Sequence, residues 1–110
     1  ISSVSAMIHG PKTVPYAVAK AGVNSLTRLF ARYGAESGIL VNAVAPGLVL
    51  TDLTKDEVNG SSGEKYISKT LLKQLTSPED VSSMVSFLCG TASGNITGQV
   101  INISGGAYLG

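Results

Sequence analysis

Residues 39–45 read ILVNAVA, closed by Gly38 on one side and Pro46 on the other. An apolar run this short predicts a strand buried on both faces, as parallel sheets require. Upstream, Tyr16 to about Ser37 predicts a long helix. Its apolar positions Val18, Val23, Leu26, Leu29, Phe30 and Tyr33 recur at helical spacing. Gly38 stands where a helix C-terminus favours a left-handed residue. Ala17, Ala19, Ala21 and Gly22 keep the first turns thin enough for close approach by another element. Before the helix, Ser5 to Pro15 reads as a loop punctuated by Gly10, Pro11 and Pro15, and Ile1 to Val4 as a strand end.

Downstream, Leu48 to Thr76 is irregular and charged, with a Gly/Ser hinge at NGSSG, residues 59–63. It predicts a mobile excursion carrying one or two short helices. Ser77-Pro78-Glu79-Asp80 predicts a helix start, with Ser as N-cap, Pro at the first position and acids in the first turn. That helix continues through Val81, Met84, Val85 and Leu88. Gln99 to Ser104 alternates and predicts a last strand. Helix, strand, excursion, helix, strand is an α/β order, with parallel strands joined by right-handed crossovers. Only about three strands are expected, which is half of a sheet covered on both faces.

Charged residues make up 14% of the chain and hydrophobic ones 44%. Soluble domains carry about 25% charge, so much of this surface is expected to be covered by other protein. The chain opens on ISSVS without an initiator Met. It is therefore expected to be part of a longer one. A net charge of +1, with no basic run and no aromatic cluster, argues against nucleic acid as a partner. The longest apolar stretch, GILVNAVAPGLVL, is broken by Asn42, Pro46 and Gly47 and is too short to span a bilayer. The single Cys89 excludes an internal disulfide and reads as a small buried hydrophobe in a reducing, cytoplasmic setting. Asn42 reads as a structural residue satisfying backbone. His9, the only histidine, reads as a surface loop residue. No metal-ligand pattern is present.

The stretch VPYAVAK, residues 14–20, places Tyr16 and Lys20 at i and i+4, on one helical face. A free tyrosine titrates near 10. A cation one turn away favours the ionised form of a phenol, which suits proton transfer at neutral pH. Alone, the pair reads more readily as an ordinary amphipathic helix face than as a catalytic pair.

Four segments in order resemble the C-terminal half of a short-chain dehydrogenase/reductase. ISSVSA resembles that family's serine-bearing strand end, with Ser3 at the family's spacing from Tyr16. YAVAK matches its Tyr-x-x-x-Lys. VNAVAPGLVLTDL resembles the Val-Asn-x-x-x-Pro-Gly-x-Val-x-Thr segment. SPEDVSSMVSFLCG with ITGQVINISGG resembles the last helix and strand. The ending ISGGAYLG and the segment PGLVLTDL look most like the 3-oxoacyl-carrier-protein reductase branch.

The resemblance implies the C-terminal half of a Rossmann-type doubly wound parallel sheet, ordered β-α-β-lid-α-β. Residues 1–110 would be the catalytic portion of one domain, its dinucleotide-binding half lying elsewhere. No Gly-rich phosphate turn, no residue choosing NAD from NADP and no match to the family's catalytic asparagine occur here. The implied activity is hydride transfer between NAD or NADP and a ketone or secondary alcohol, with a 3-oxoacyl thioester as one substrate. On its own the 110-residue chain is expected to be inactive. Ser3, Tyr16 and Lys20 would be catalytic. Tyr16, Lys20, Pro46, Gly47, Val49 and Thr51 would hold the cofactor. Residues 52–75 would form a substrate lid. The helices at 16–37 and 78–89 would pack against partner subunits in a homo-dimer or homo-tetramer. A different class of reading, a non-catalytic assembly module, draws on the same Ala/Gly-rich helix and low charge.

Overall fold

The computed structural model describes residues 1–8 and 14–110. The elements are α1 (Val14–Gly34), β1 (Ala43–Pro46), α2 (Lys55–Val58), α3 (Ser61–Lys69), α4 (Pro78–Cys89) and β2 (Val100–Ile103). Short 3₁₀ turns occupy Val4–Ala6, Ala35–Ser37 and Thr91–Ser93. β1 and β2 pair in parallel, with Ala43 opposite Val100 and Pro46 opposite Ile103. This is the α/β arrangement with a parallel sheet that the element order predicts.

All four residues of β1 are buried, as the apolar run requires. The strand is shorter than residues 39–45 suggest and starts later. Asn42 is the reason. Its Nδ2 donates to the Ile96 carbonyl at 2.7 Å, and its Oδ1 accepts from Gln99 N–H at 3.1 Å. Side-chain bonds there interrupt the regular ladder between the backbone bonds Gly98 N–H to the Val41 carbonyl and Ala43 N–H to the Gln99 carbonyl, so the structural reading of Asn42 is correct. Ile1–Val4 is not a strand. Ser2 N–H donates to the Val44 carbonyl at 2.8 Å, which lays the segment beside β1. The chain then curls at once into the turn at Val4–Ala6.

Helix α1 includes Val14 and Pro15, ahead of Tyr16; proline is tolerated in a first turn where the N–H has no helical partner. The helix ends at Gly34, earlier than Ser37, and passes into the 3₁₀ turn Ala35–Ser37; Gly38 stops that turn with φ 69°, the left-handed residue predicted there. The buried face of α1 is Ala17, Asn24, Thr27 and Ala31. Its large apolar residues point outward: Val18 is 66% exposed, Phe30 54% and Tyr33 74%. Cys89 also differs from expectation. It ends α4 on the exposed side, at the rim of a cavity of about 220 Å³ shared with Ile1, Leu40, Val44, Val85 and Leu88. Nothing among the described residues closes that cavity over the thiol. The loop residues His9, Gly10 and Pro11 lie outside the described residues.

The excursion holds two short helices. NGSSG is not a free hinge: Gly60 precedes α3 and Ser61–Gly63 form its first turn. Gly63 is buried so tightly on the Val58 carbonyl that a β-carbon could not fit. The excursion returns to the sheet through Thr76, whose Oγ1 donates to the Ile103 carbonyl at 2.9 Å. Just before that return, Lys73 takes φ 54°, a left-handed backbone that costs a non-glycine residue about 1–2 kcal/mol. Its Nζ donates to the Ser68 carbonyl at 2.7 Å and holds the bend.

Helix α4 matches its local signals. Ser77 and Asp80 form a reciprocal capping box: Ser77 N–H donates to Asp80 Oδ2 at 2.8 Å, and Asp80 N–H to Ser77 Oγ at 3.1 Å. Hydrogen bonding to the carboxylate by the Ser77 backbone, and secondarily by the Ser77 side chain, holds the Asp80 carboxyl below its ordinary value of 3.8. A depressed folded value means the carboxylate stabilises above the unfolded pKa, and that contribution fades as pH falls through the folded one. In the complete protein, Asp80→Asn is expected to lower the melting midpoint at neutral pH. The gap to wild type should close below pH ~4. Melting both proteins down an acid series checks this; a gap unchanged at the lowest pH would assign the effect to shape, not charge.

Candidate active site

The candidate residues come from two places on the fold: the first turns of α1 with the segment before them, and the carboxyl end of β1. Ligands in open α/β sheets bind beyond the carboxyl ends of strands.

Tyr16 lies in the first turn of α1 and is 49% exposed. Lys20 follows one turn later, with Nζ 5.5 Å from the centre of the Tyr16 ring, within cation–π range. The ammonium thus sits over the ring face. One of its N–H groups donates to the Ile1 carbonyl at 3.0 Å. An ammonium has three donors, and among the described residues this is the only one engaged.

Two serines meet this helix and take different parts. Ser2 is buried, its Oγ donating to Asn24 Oδ1 at 2.5 Å and lying 3.2 Å from the Lys20 carbonyl. It locks the segment to α1. Ser3 Oγ accepts from Ser5 N–H at 3.1 Å and caps the following turn. That bond uses an acceptor site and leaves the Ser3 hydroxyl proton available to donate. The Ser2 hydroxyl, by contrast, is committed to holding the chain against α1.

At the other place, β1 ends at Pro46, and Gly47 N–H donates to the Ile103 carbonyl at 2.8 Å. A β-carbon on Gly47 would fall 3.1 Å from Ser104 Cα and collide with the Tyr66 hydroxyl. Glycine is therefore required by close approach, not by φ. Val49 bridges in parallel to Thr76. Thr51 is exposed, and it is not the cap of α2; Thr54 holds that position. Thr54 Oγ1 donates to the Val49 carbonyl and accepts from Thr51 N–H at 3.0 Å. Sequence reasoning missed Thr54, which no motif singles out, and Tyr66, which sits in a charged segment.

Known proteins bear on this arrangement. A family model described as enoyl-(acyl carrier protein) reductase matches residues 1–108. A short-chain type dehydrogenase/reductase from Mycobacterium ulcerans superposes with a TM-score of 0.93 at 34% identity, over 96% of this chain and 39% of that one. The chain belongs to the short-chain dehydrogenase/reductase family. Among members of this family, 3-oxoacyl-acyl-carrier-protein reductase FabG of Staphylococcus aureus is 37% identical over 109 residues, or 99% of this chain. This chain spans 44% of the length of that reductase. A 4-hydroxyisoleucine dehydrogenase solved with NADH superposes with a TM-score of 0.93 at 28% identity, over 99% of this chain and 45% of that one. These matches give the chain the Rossmann-type fold of the short-chain dehydrogenases/reductases and place it near the FabG-like branch. Among the described residues, no helix is long and apolar enough to cross a membrane, and no cluster of His, Cys, Asp and Glu could hold a metal ion.

Proposed function

We propose that residues 1–110 form the catalytic portion of an NAD- or NADP-dependent oxidoreductase that interconverts a ketone and a secondary alcohol. The observation that carries this reading is the Lys20 ammonium over a half-open Tyr16 ring, tethered by one hydrogen bond to the Ile1 carbonyl. The residues present suit a nicotinamide nucleotide. Lys20 would hold the ribose hydroxyls. Pro46, Gly47, the Val49 backbone and the Thr51 hydroxyl would border the nicotinamide at the carboxyl end of β1.

The bound nicotinamide supplies or takes up the hydride. In the reducing direction, the Ser3 hydroxyl donates to the substrate carbonyl oxygen and stabilises the charge that grows there. Tyr16 Oη delivers the proton to that oxygen, and Lys20 stabilises the phenolate left behind. In the oxidising direction Tyr16 takes the proton back. Residues 52–75 act as a lid that shapes the substrate end. The outward-facing Val18, Phe30 and Tyr33 of α1, with Phe87 of α4, suit contact with further copies in a homo-dimer or homo-tetramer. The setting is cytoplasmic, and the likeness to FabG favours a 3-oxoacyl thioester as substrate.

The test is turnover by the complete protein. NADH or NADPH is offered with ketones that include a 3-oxoacyl thioester, and loss of the reduced nicotinamide absorbance is followed. Turnover with at least one carbonyl is expected. Silence with every pair would sink the oxidoreductase reading.

A further inference from the structure

Tyr66 lies on α3, in the middle of the excursion. Its hydroxyl is buried and, among the described residues, has no hydrogen-bond partner. Two buried threonine hydroxyls in and just after the same excursion are used: Thr70 Oγ1 donates to the Ile67 carbonyl and Thr76 Oγ1 to the Ile103 carbonyl, each at 2.9 Å. The excursion can satisfy its polar groups, and at Tyr66 it does not. A buried unpartnered hydroxyl calls for an explanation, because leaving it so costs free energy.

Its position suggests one. Tyr66 Oη rests where a side chain on Gly47 would begin, and Ser104 packs on the same point. Gly47 follows β1 and Ser104 follows β2, so the phenol lies at the carboxyl ends of both strands. Burial pushes the phenol above its ordinary value of 10, with the Leu48 backbone opposing the rise without making a hydrogen bond of normal geometry. At neutral pH the group is a donor. The other orphaned atom among the described residues, Oδ1 of Asn102, belongs to a residue lining a cavity of about 630 Å³ beneath α4 that Tyr66 does not border.

We infer that Tyr66 is a ligand-contacting residue carried by the lid, whose phenolic O–H is reserved for an acceptor oxygen of the molecule bound at the carboxyl ends of β1 and β2. This rests on the oxidoreductase reading. With the site empty the phenol leans on Gly47 unsatisfied. When a ligand is present, α3 shifts and the O–H turns from the glycine to the ligand oxygen. Lid position and ligand binding are thereby coupled through one hydroxyl. The acceptor belongs to the dinucleotide or to the carbonyl substrate, and the test separates them.

Tyr66→Phe in the complete protein removes only the oxygen. The ligand-free melting midpoint is expected to stay level or rise, because an unsatisfied polar atom is gone. Calorimetric NADH or NADPH affinity is expected to fall about 3- to 10-fold, the worth of one neutral hydrogen bond, if the acceptor is on the dinucleotide. If it is on the substrate, that affinity holds and KM for the ketone rises by the same factor. Either pattern supports the inference. Both affinities within twofold of wild type, or a lowered ligand-free midpoint, would overturn it. Wild type that binds neither dinucleotide would overturn the oxidoreductase reading along with it. Wild type that binds normally while the Phe variant is indistinguishable overturns the Tyr66 role alone.

Discussion

Tyr16→Phe in the complete protein is expected to cut turnover by about two to four orders of magnitude, the usual worth of a positioned general acid or base. Dinucleotide affinity should stay within about twofold, because the ring that Lys20 covers is preserved and only the proton-bearing oxygen is lost. The folded state should also be unharmed: the ring is half exposed at the start of α1 and fills no core. Steady-state kinetics beside calorimetric binding reads both quantities. Near-normal turnover would remove Tyr16 from the chemistry. Equal losses of turnover and affinity would make it a binding residue instead.

The second large effect is expected at Gly47. An added methyl would collide with Tyr66 Oη and lie 3.1 Å from Ser104 Cα and 3.3 Å from its Cβ. Ser104 cannot retreat easily. It is buried, follows the strand bond from Gly47 to Ile103, and accepts from Ala107 N–H at 3.1 Å. The Tyr66 hydroxyl, at the far end of a side chain carried by α3, must swing aside. Gly47→Ala should therefore cost about 1–3 kcal/mol of stability as overpacking and, on the role proposed for residues 52–75, depress turnover. In a Tyr66→Phe background the colliding oxygen is absent, and the same alanine should cost less. A double-mutant cycle on melting and turnover measures this coupling, expected at about 0.5–3 kcal/mol. Identical penalties in both backgrounds would show that the Gly47–Tyr66 contact is not what the alanine disturbs.

Legibility in the sequence followed the range of the interactions. Helix α4 was readable to its ends because Ser77, Pro78 and Asp80 act within one turn. The stop at Gly38 was readable because a left-handed residue announces itself. For α1, hydrophobic spacing identified the helix but not its inward face. The helix packs on the turn at Val4–Ala6 and on β1, and close contact there selects Ala17, Asn24, Thr27 and Ala31. The length of β1 was misjudged because the Asn42 side chain interrupts the ladder, a decision made by Ile96 and Gln99 far along the chain. Thr54 and Tyr66 were invisible for a similar reason: each matters through a partner, Val49 or Gly47, that folding brings to it. The Tyr16–Lys20 pair could be read directly, since a helix guarantees its proximity.

The Lys20 tether ends on the main-chain carbonyl of Ile1. No substitution at position 1 can delete that acceptor, since every amino acid supplies the same oxygen. Orientation of the ammonium is therefore insulated from mutational drift at the residue that orients it. Selection needs to guard only the lysine itself and the path of the chain beside β1. Random libraries over residues 1–3 should accordingly tolerate wide variation at position 1 and little at Ser2 and Ser3.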